Sequence, residues 1–162
     1  MSAVIEGSVP RLRPMLDEDV GRVLAIETEV YPHGWNEGIF RDCLGVRYSC
    51  WVLEQGGEII GYGIMSVAVG EAHILNIALH PGFQGKGLGR DLLMHLLQTG
   101  RRYGADTAFL EVRASNRIAI RLYDTSGFHQ VGLRNGYYPA AKGREDAVIM
   151  ARELGDLDPS SL

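Results

Sequence analysis

Seven residues carry the most specific chemistry in the chain: Gln84-Gly85-Lys86-Gly87-Leu88-Gly89-Arg90. Three alternate glycines let the backbone turn where a Cβ would forbid it and bring N–H groups close to a ligand. An apolar helical pattern follows at once, so the loop runs into a helix N-terminus. That end has unpaired N–H donors and a partial positive charge. The combination is an anion cradle suited to phosphate, with Lys86 and Arg90 adding full charges. A P-loop is excluded, because it needs Ser or Thr after the lysine and Gly87 follows Lys86. A dinucleotide fingerprint is excluded as well: it needs Gly-x-Gly-x-x-Gly, and the spacing here is Gly-x-Gly-x-Gly. The plainer alternative is a flexible strand-to-helix turn.

Further along, Thr107 to Arg113 alternates as a strand. Phe109, Glu111 and Arg113 fall on one face, Leu110 and Val112 on the other. Glu111 is then a carboxylate in an apolar strand, either a general base or a salt-bridged structural residue. Asn116 and Tyr123, seven apart, share a helix face. Asn116 also stands where an N-cap belongs, and the pattern alone makes Tyr123 a half-buried core tyrosine. Trp35, Tyr137 and Tyr138 lie in predicted loops, where aromatics build recognition surfaces or cap a core edge. Glu37 and Glu145 are candidates for attracting a basic peptide. The five histidines show no metal-ligand spacing, and no metal is expected.

These residues need a frame. Asp17 is the expected N-cap of a helix carrying Val20, Val23, Leu24 and Val30, ended by Tyr31-Pro32-His33-Gly34. A short helix is expected over 36–44. Strands are expected over Ser49–Glu54 and Glu58–Val69, joined by Gln55-Gly56-Gly57, and over Glu71–Leu79, stopped by Pro81-Gly82. A helix follows from Gly87 to about Tyr103, then the strand Thr107–Arg113 and a helix from Asn116 to Ser126. Phe128–Leu133 and Glu145–Arg152 read as strands joined by an Arg134–Arg144 loop rich in Gly, Tyr and Pro. The order predicts an α/β (α+β) fold, a mixed sheet with helices on both faces. Residues 1–10 are expected to form a flexible extension, 11–153 a single domain, and 154–162 a flexible tail.

Composition narrows the class. The chain has 162 residues, 46% hydrophobic and 22% charged, as in an ordinary globular protein. No apolar run nears the ~20 residues of a membrane span. The start lacks the basic and apolar regions of a secretory signal. A net charge of −4 with scattered cations argues against a nucleic-acid surface. Cys43 and Cys50 make no disulfide framework and no zinc pattern, and read as buried thiols in a cytoplasmic protein.

Gln84-x-x-Gly87-x-Gly89 resembles the Gln/Arg-x-x-Gly-x-Gly/Ala signature of the GCN5-related N-acetyltransferases (GNAT). Phe109-Leu110-Glu111-Val112-Arg113-Ala114-Ser115-Asn116, Gly136-Tyr137-Tyr138-Pro139 and Gly143-Arg144-Glu145-Asp146-Ala147 look like the RimI-type branch, which acetylates the N-terminal alanine of a small-subunit ribosomal protein. The similarity covers about residues 11–152. It implies a mostly antiparallel sheet with a splayed parallel pair. Acetyl-CoA is implied as cosubstrate, its diphosphate on Gln84, Gly85, Lys86, Gly87, Leu88, Gly89 and Arg90. Its pantetheine arm would lie along Ile77, Ala78 and Leu79, with a further contact from Asn116. Glu111 matches the family's general base and Tyr123 its general acid. Trp35, Tyr137 and Tyr138 would flank a groove for the ribosomal peptide N-terminus; where the family usually has Pro-Trp-Ser/Thr, this chain has Gly34-Trp35-Asn36. On the same scaffold, a lysine side chain, another protein N-terminus or a small amine are alternative acceptors. A non-catalytic acetyl-CoA-binding module is the alternative outside enzymology.

Overall fold

In a computed structural model, residues 9–158 are described. The elements in order are β1 (Arg11–Pro14), a 3₁₀ turn (Asp17–Asp19), α1 (Val20–Val30), α2 (Glu37–Gly45), β2 (Ser49–Gln55), β3 (Glu58–Ala68) and β4 (Glu71–Leu79). A 3₁₀ turn (Pro81–Phe83), α3 (Leu88–Arg102), β5 (Thr107–Arg113), α4 (Arg117–Thr125), β6 (His129–Pro139) and β7 (Arg144–Glu153) follow. The strand order is β1-β2-β3-β4-β5-β7-β6. Among the described residues no helix is long and apolar enough to cross a membrane. The described residues divide into two compact units, one of residues 9–65 and 76–93, the other of residues 66–75 and 94–158.

The first unit is built on antiparallel pairs. Arg11 faces Glu54 across β1 and β2, and Ser49 faces Met65 across β2 and β3. Alternation sends Val52, Tyr62 and Ile64 inward, where they meet Val20, Val23 and Ile26 from one face of α1 and Phe40 from α2. Each of these apolar side chains contributes roughly 1.5–3 kcal/mol by leaving water. Phe40 and Tyr62 pack edge to face at 5.7 Å. Cys43 and Cys50 are buried and free, and burial pushes the Cys50 thiol up to about 12. The expected cap at Asp17 is corrected. Asp17 lies in the 3₁₀ turn, and the anchoring carboxylate is Asp19, which accepts from the Leu16 N–H and the Arg13 guanidinium, both at 2.8 Å. Arg13 on β1 gives Asp19 a close cation, whereas outward-facing Asp17 stands 3.8 Å from Arg41.

The second unit holds the parallel pair. Its register runs from Glu71↔Thr107 to Ile74↔Leu110, while β4 continues to Leu79 and β5 to Arg113. Along its other edge β5 pairs with β7 from Thr107↔Glu153 to Arg113↔Ala147. Ala108, Leu110 and Val112 are buried and their alternating neighbours half-buried, as the apolar alternation predicts. The expected Arg134–Arg144 loop is also corrected: β6 runs on to Pro139, and only 140–143 turn the chain. Pairing with β7 resumes at Tyr138↔Glu145 after a register shift. Gly136 (φ +60°) takes the irregular position, and its N–H donates to Asp146 at 2.9 Å. An edge strand tolerates such a bulge and a terminal proline, so loop-like composition is compatible with a strand here. At the other end, Leu154 is fully buried and donates its N–H to the Asp106 carbonyl at 2.8 Å. Asp156 pairs with Arg152 at 3.0 Å, so this part of the expected tail is tied down. Residues 1–8 and 159–162, the rest of the two expected flexible ends, lie outside the described residues.

Candidate active site

The glycine loop belongs to the first unit. At the end of β4, Ile77 and Leu79 direct their carbonyls to the same edge. The Tyr31 hydroxyl donates to the first at 2.7 Å and the Gln84 amide to the second at 3.2 Å. Ala78 is buried, and His80 N–H donates to Ile60 O on β3 at 2.7 Å, which fixes the phase of the strand. The 3₁₀ turn then leads into Gly85 (φ +79°) and Gly87 (φ +82°). Nothing lies within 4 Å of a Cβ built at either, so backbone conformation, not crowding, demands glycine there. The Gly87 carbonyl accepts the Asp91 N–H at 3.2 Å, which starts α3. The N–H groups of Leu88 and Gly89 open its first turn, where an α-helix offers no preceding carbonyl to serve them. Gln84 to Gly87 and Arg90 are exposed, while Leu88 and Gly89 are half-buried. Lys86 Nζ stands 5.6 Å from the Phe83 ring. The loop is open, it leads into the N-terminus of α3 and it carries Lys86 and Arg90, chemistry that fits a diphosphate.

The second unit brings Glu111, Tyr137 and Tyr138 together. Glu111 is half-buried on the same face of β5 as Phe109 and Arg113. Its Oε1 is 3.0 Å from Arg134 Nε on β6. The Arg134 guanidinium lies 5.4 Å from the Tyr137 ring centroid, and Tyr137 meets Tyr138 edge to face at 5.0 Å. Arg113 stacks over Tyr138 at 4.5 Å and donates to Glu145 at 2.8 Å and to the Pro139 carbonyl at 2.7 Å. Burial first, then the Glu111 charge, pushes the Tyr138 hydroxyl up to about 12, so it stays an O–H donor at ordinary pH. Tyr137 and Tyr138 are therefore strand residues, not loop residues as expected.

Arg113 and the Ser115 N–H hold the Glu145 carboxyl below the usual carboxylate range. Glu37 is paired with Arg41 at 2.9 Å. Both acids offered as attractors of a basic peptide have intramolecular cations.

On α4, Asn116 caps the helix, its Oδ1 accepting the Ala119 N–H at 3.2 Å. Tyr123 is buried, with its ring 6.0 Å from Phe128. The structure thus gives both residues a framework position, the plainer of their two readings, and these positions leave the second role open. Trp35, in the first unit, is half-buried against the core with its ring 5.2 Å from Phe40. It caps a core edge. Among the described residues no cluster of His, Cys, Asp and Glu is arranged to hold a metal.

Glu27 escapes the sequence reading. It is 2% exposed on α1 and accepts hydrogen bonds from Tyr62, Asn76 and the Trp35 N–H. Its only local trace is a position on the apolar face, one residue after Ile26 and four after Val23.

Comparison with known proteins gives consistent matches. The acetyltransferase (GNAT) family model matches residues 20–128. The ribosomal protein bS18-alanine N-acetyltransferase of Escherichia coli (strain K12) is 42% identical over 133 residues, 82% of this chain and 90% of that protein. The protein of the same name from Haemophilus ducreyi is 36% identical over 144 residues, 88% of this chain and 99% of that one. Among solved structures, the ribosomal-protein-S18-alanine N-acetyltransferase from Escherichia coli superposes with a TM-score of 0.85 at 37% identity, covering 95% of this chain and 99% of that chain.

Proposed function

The chain belongs to the acetyltransferase (GNAT) family, and from that premise we propose that it acetylates the N-terminal α-amine of a small-subunit ribosomal protein beginning with alanine. The observation that carries this reading is the 42% identity, over four-fifths of the chain, to an enzyme named for that reaction. Acetyl-CoA supplies the acetyl group as a thioester. Residues 11–153 act as one catalytic domain.

The N–H groups of the loop from Gly85 onward, with Lys86 and Arg90, bind the diphosphate. The Ile77–Leu79 edge aligns the pantetheine arm as an added strand would, and a backbone N–H near Leu79 faces the thioester oxygen. Gln84 acts indirectly, by holding the Leu79 carbonyl. Asn116 adds a cofactor contact beside its capping role. Glu111 accepts the proton of the attacking amine, directly or through a water, and Tyr123 donates one to the departing thiolate. A phenol and a thiol have similar pKa values, so that donation is not strongly uphill. Trp35, Tyr137 and Tyr138 contact the acceptor peptide.

An α-amine suits this equipment. With a pKa near 7.7–8.0 it costs about 0.4–0.8 kcal/mol to deprotonate near pH 7.4, against about 4 kcal/mol for lysine. One modestly placed carboxylate suffices for the former. The test is mass spectrometry of unacetylated small-subunit ribosomal proteins incubated with the enzyme and acetyl-CoA. One acetyl group on an alanine α-nitrogen is expected; acetylation confined to lysine side chains, or none, rejects the reading.

A further inference from the structure

A buried carboxylate persists only when its oxygens are satisfied. Glu27 draws its three donors from three separate segments. Oε1 accepts from the Tyr62 hydroxyl on β3 and from Asn76 Nδ2 on β4 at 2.9 Å; Oε2 accepts from the Trp35 N–H at 2.8 Å. Burial and the Glu27 charge raise the Tyr62 pKa, keeping its hydroxyl a donor. Gly34 lies against the same carboxylate: a Cβ there would stand 2.8 Å from Oε2 and 2.9 Å from Cγ. A side chain at Gly34 would therefore press on the Glu27 carboxylate. At the start of the segment, Tyr31 reaches the Ile77 carbonyl at 2.7 Å. Residues 31–35 are thus fastened at both ends, to Ile77 directly and to Asn76 through Glu27. A leucine would fill the apolar face of α1 as well as Glu27 does. Only an acceptor with two oxygens can take donors from β3, β4 and the segment at once.

We propose that Glu27 is a positioning residue that sets where the Trp35 segment stands relative to the end of β4, and that it thereby governs capture of the acceptor peptide. The proposal rests on the acceptor role given to Trp35 above. Acetyl-CoA binding should be spared, because the end of β4 has its own anchors in the His80–Ile60 and Gln84–Leu79 hydrogen bonds.

Two variants test this from opposite sides. Glu27→Gln keeps the volume but turns an amide N–H₂ toward a donor. Gly34→Ala keeps the carboxylate and pushes the segment away from it. With a synthetic alanine-initiated ribosomal peptide, both should raise KM at least about fivefold, with kcat and the acetyl-CoA Kd within about twofold. Deuterium exchange at amides 33–36 should quicken about tenfold while global unfolding is little changed. Unchanged KM and exchange in both variants overturns the proposal, as does a loss of acetyl-CoA affinity matching the loss of turnover. If the wild-type enzyme leaves the peptide unmodified, the proposed function fails separately. Exchange at the Trp35 amide then still decides whether Glu27 holds the segment.

Discussion

Arg134 Nε lies 3.0 Å from Oε1 of Glu111, so the carboxylate proposed to accept the amine proton is held across the strands by a cation. The guanidinium is half exposed and also leans on Tyr137 at 5.4 Å, which limits its freedom to leave. The pair fixes the direction of the carboxylate, and catalysis is sensitive to direction. Glu111→Gln should lower kcat by about 10²-fold or more, the usual worth of a positioned base, with acetyl-CoA Kd unchanged. Arg134→Ala should lower kcat about tenfold, with Arg134→Lys in between, because a lysine keeps the charge and loses the planar fork. Steady-state kinetics with calorimetry checks both. Full turnover in Glu111→Gln removes Glu111 from the base role.

Tyr123 offers a cleaner subtraction. Its ring packs on Phe128 and is buried, so Tyr123→Phe keeps the packing and removes one hydroxyl. If that hydroxyl protonates the leaving thiolate, kcat falls by about 10²-fold while the acetyl-CoA Kd changes little. A fully active Tyr123→Phe enzyme leaves Tyr123 as a core residue only.

The glycine loop makes a backbone prediction. Gly87 has φ +82° with open space where a Cβ would go. A Cβ there meets no neighbour, so the substitution should leave the rest of the fold in place. Its backbone must leave the left-handed region, a conformation that costs a non-glycine residue roughly 1–2 kcal/mol or more. The N–H groups then lose their aim. Calorimetry should show acetyl-CoA affinity falling at least about tenfold in Gly87→Val. Gly104→Val carries the same penalty (φ +96°) outside the loop and should bind normally. Equal affinity in both variants contradicts the cradle.

What can be read from the chain, and what cannot, follows from the range of the forces. β4 and β5 end where the sequence predicts, because an apolar alternating run bounded by Pro, Gly or a polar turn is a local pattern. The left-handed Gly85 and Gly87 are legible for the same reason, and Gly87 belongs to the signature that carries the family resemblance. β6 is not legible beyond Leu133, because its continuation depends on Glu145 and Arg144 pairing from the opposite strand. The expected loop position of Tyr137 and Tyr138 fails with it. Glu27 gives no local signal of its role. Its partners Tyr62 and Asn76 lie 35 and 49 residues away, and a glutamate inside a helix ordinarily faces water. Asp17 and Asp19 look alike in the sequence, because only the fold brings Arg13 to one of them.

That last pairing predicts a pH dependence. The Arg13 guanidinium, helped by the Leu16 N–H and opposed by burial, holds the Asp19 carboxyl below the usual carboxylate range. A carboxyl depressed in the folded state contributes stability that is fully present above its unfolded pKa of about 3.9 and is lost as pH falls through the lower folded value. Asp19→Asn keeps the shape and removes the charge. It should cost about 1–3 kcal/mol at pH 7, where the ionised carboxylate is hydrogen-bonded to Arg13 and to the backbone. Urea unfolding should show the gap to wild type narrowing below about pH 4, because the wild-type carboxyl is progressively protonated there and the two proteins become alike. A gap as wide at pH 3 as at pH 7 would mean that the ion pair contributes nothing and that the Asp19→Asn variant is penalised for the hydrogen-bonding shape of its amide alone.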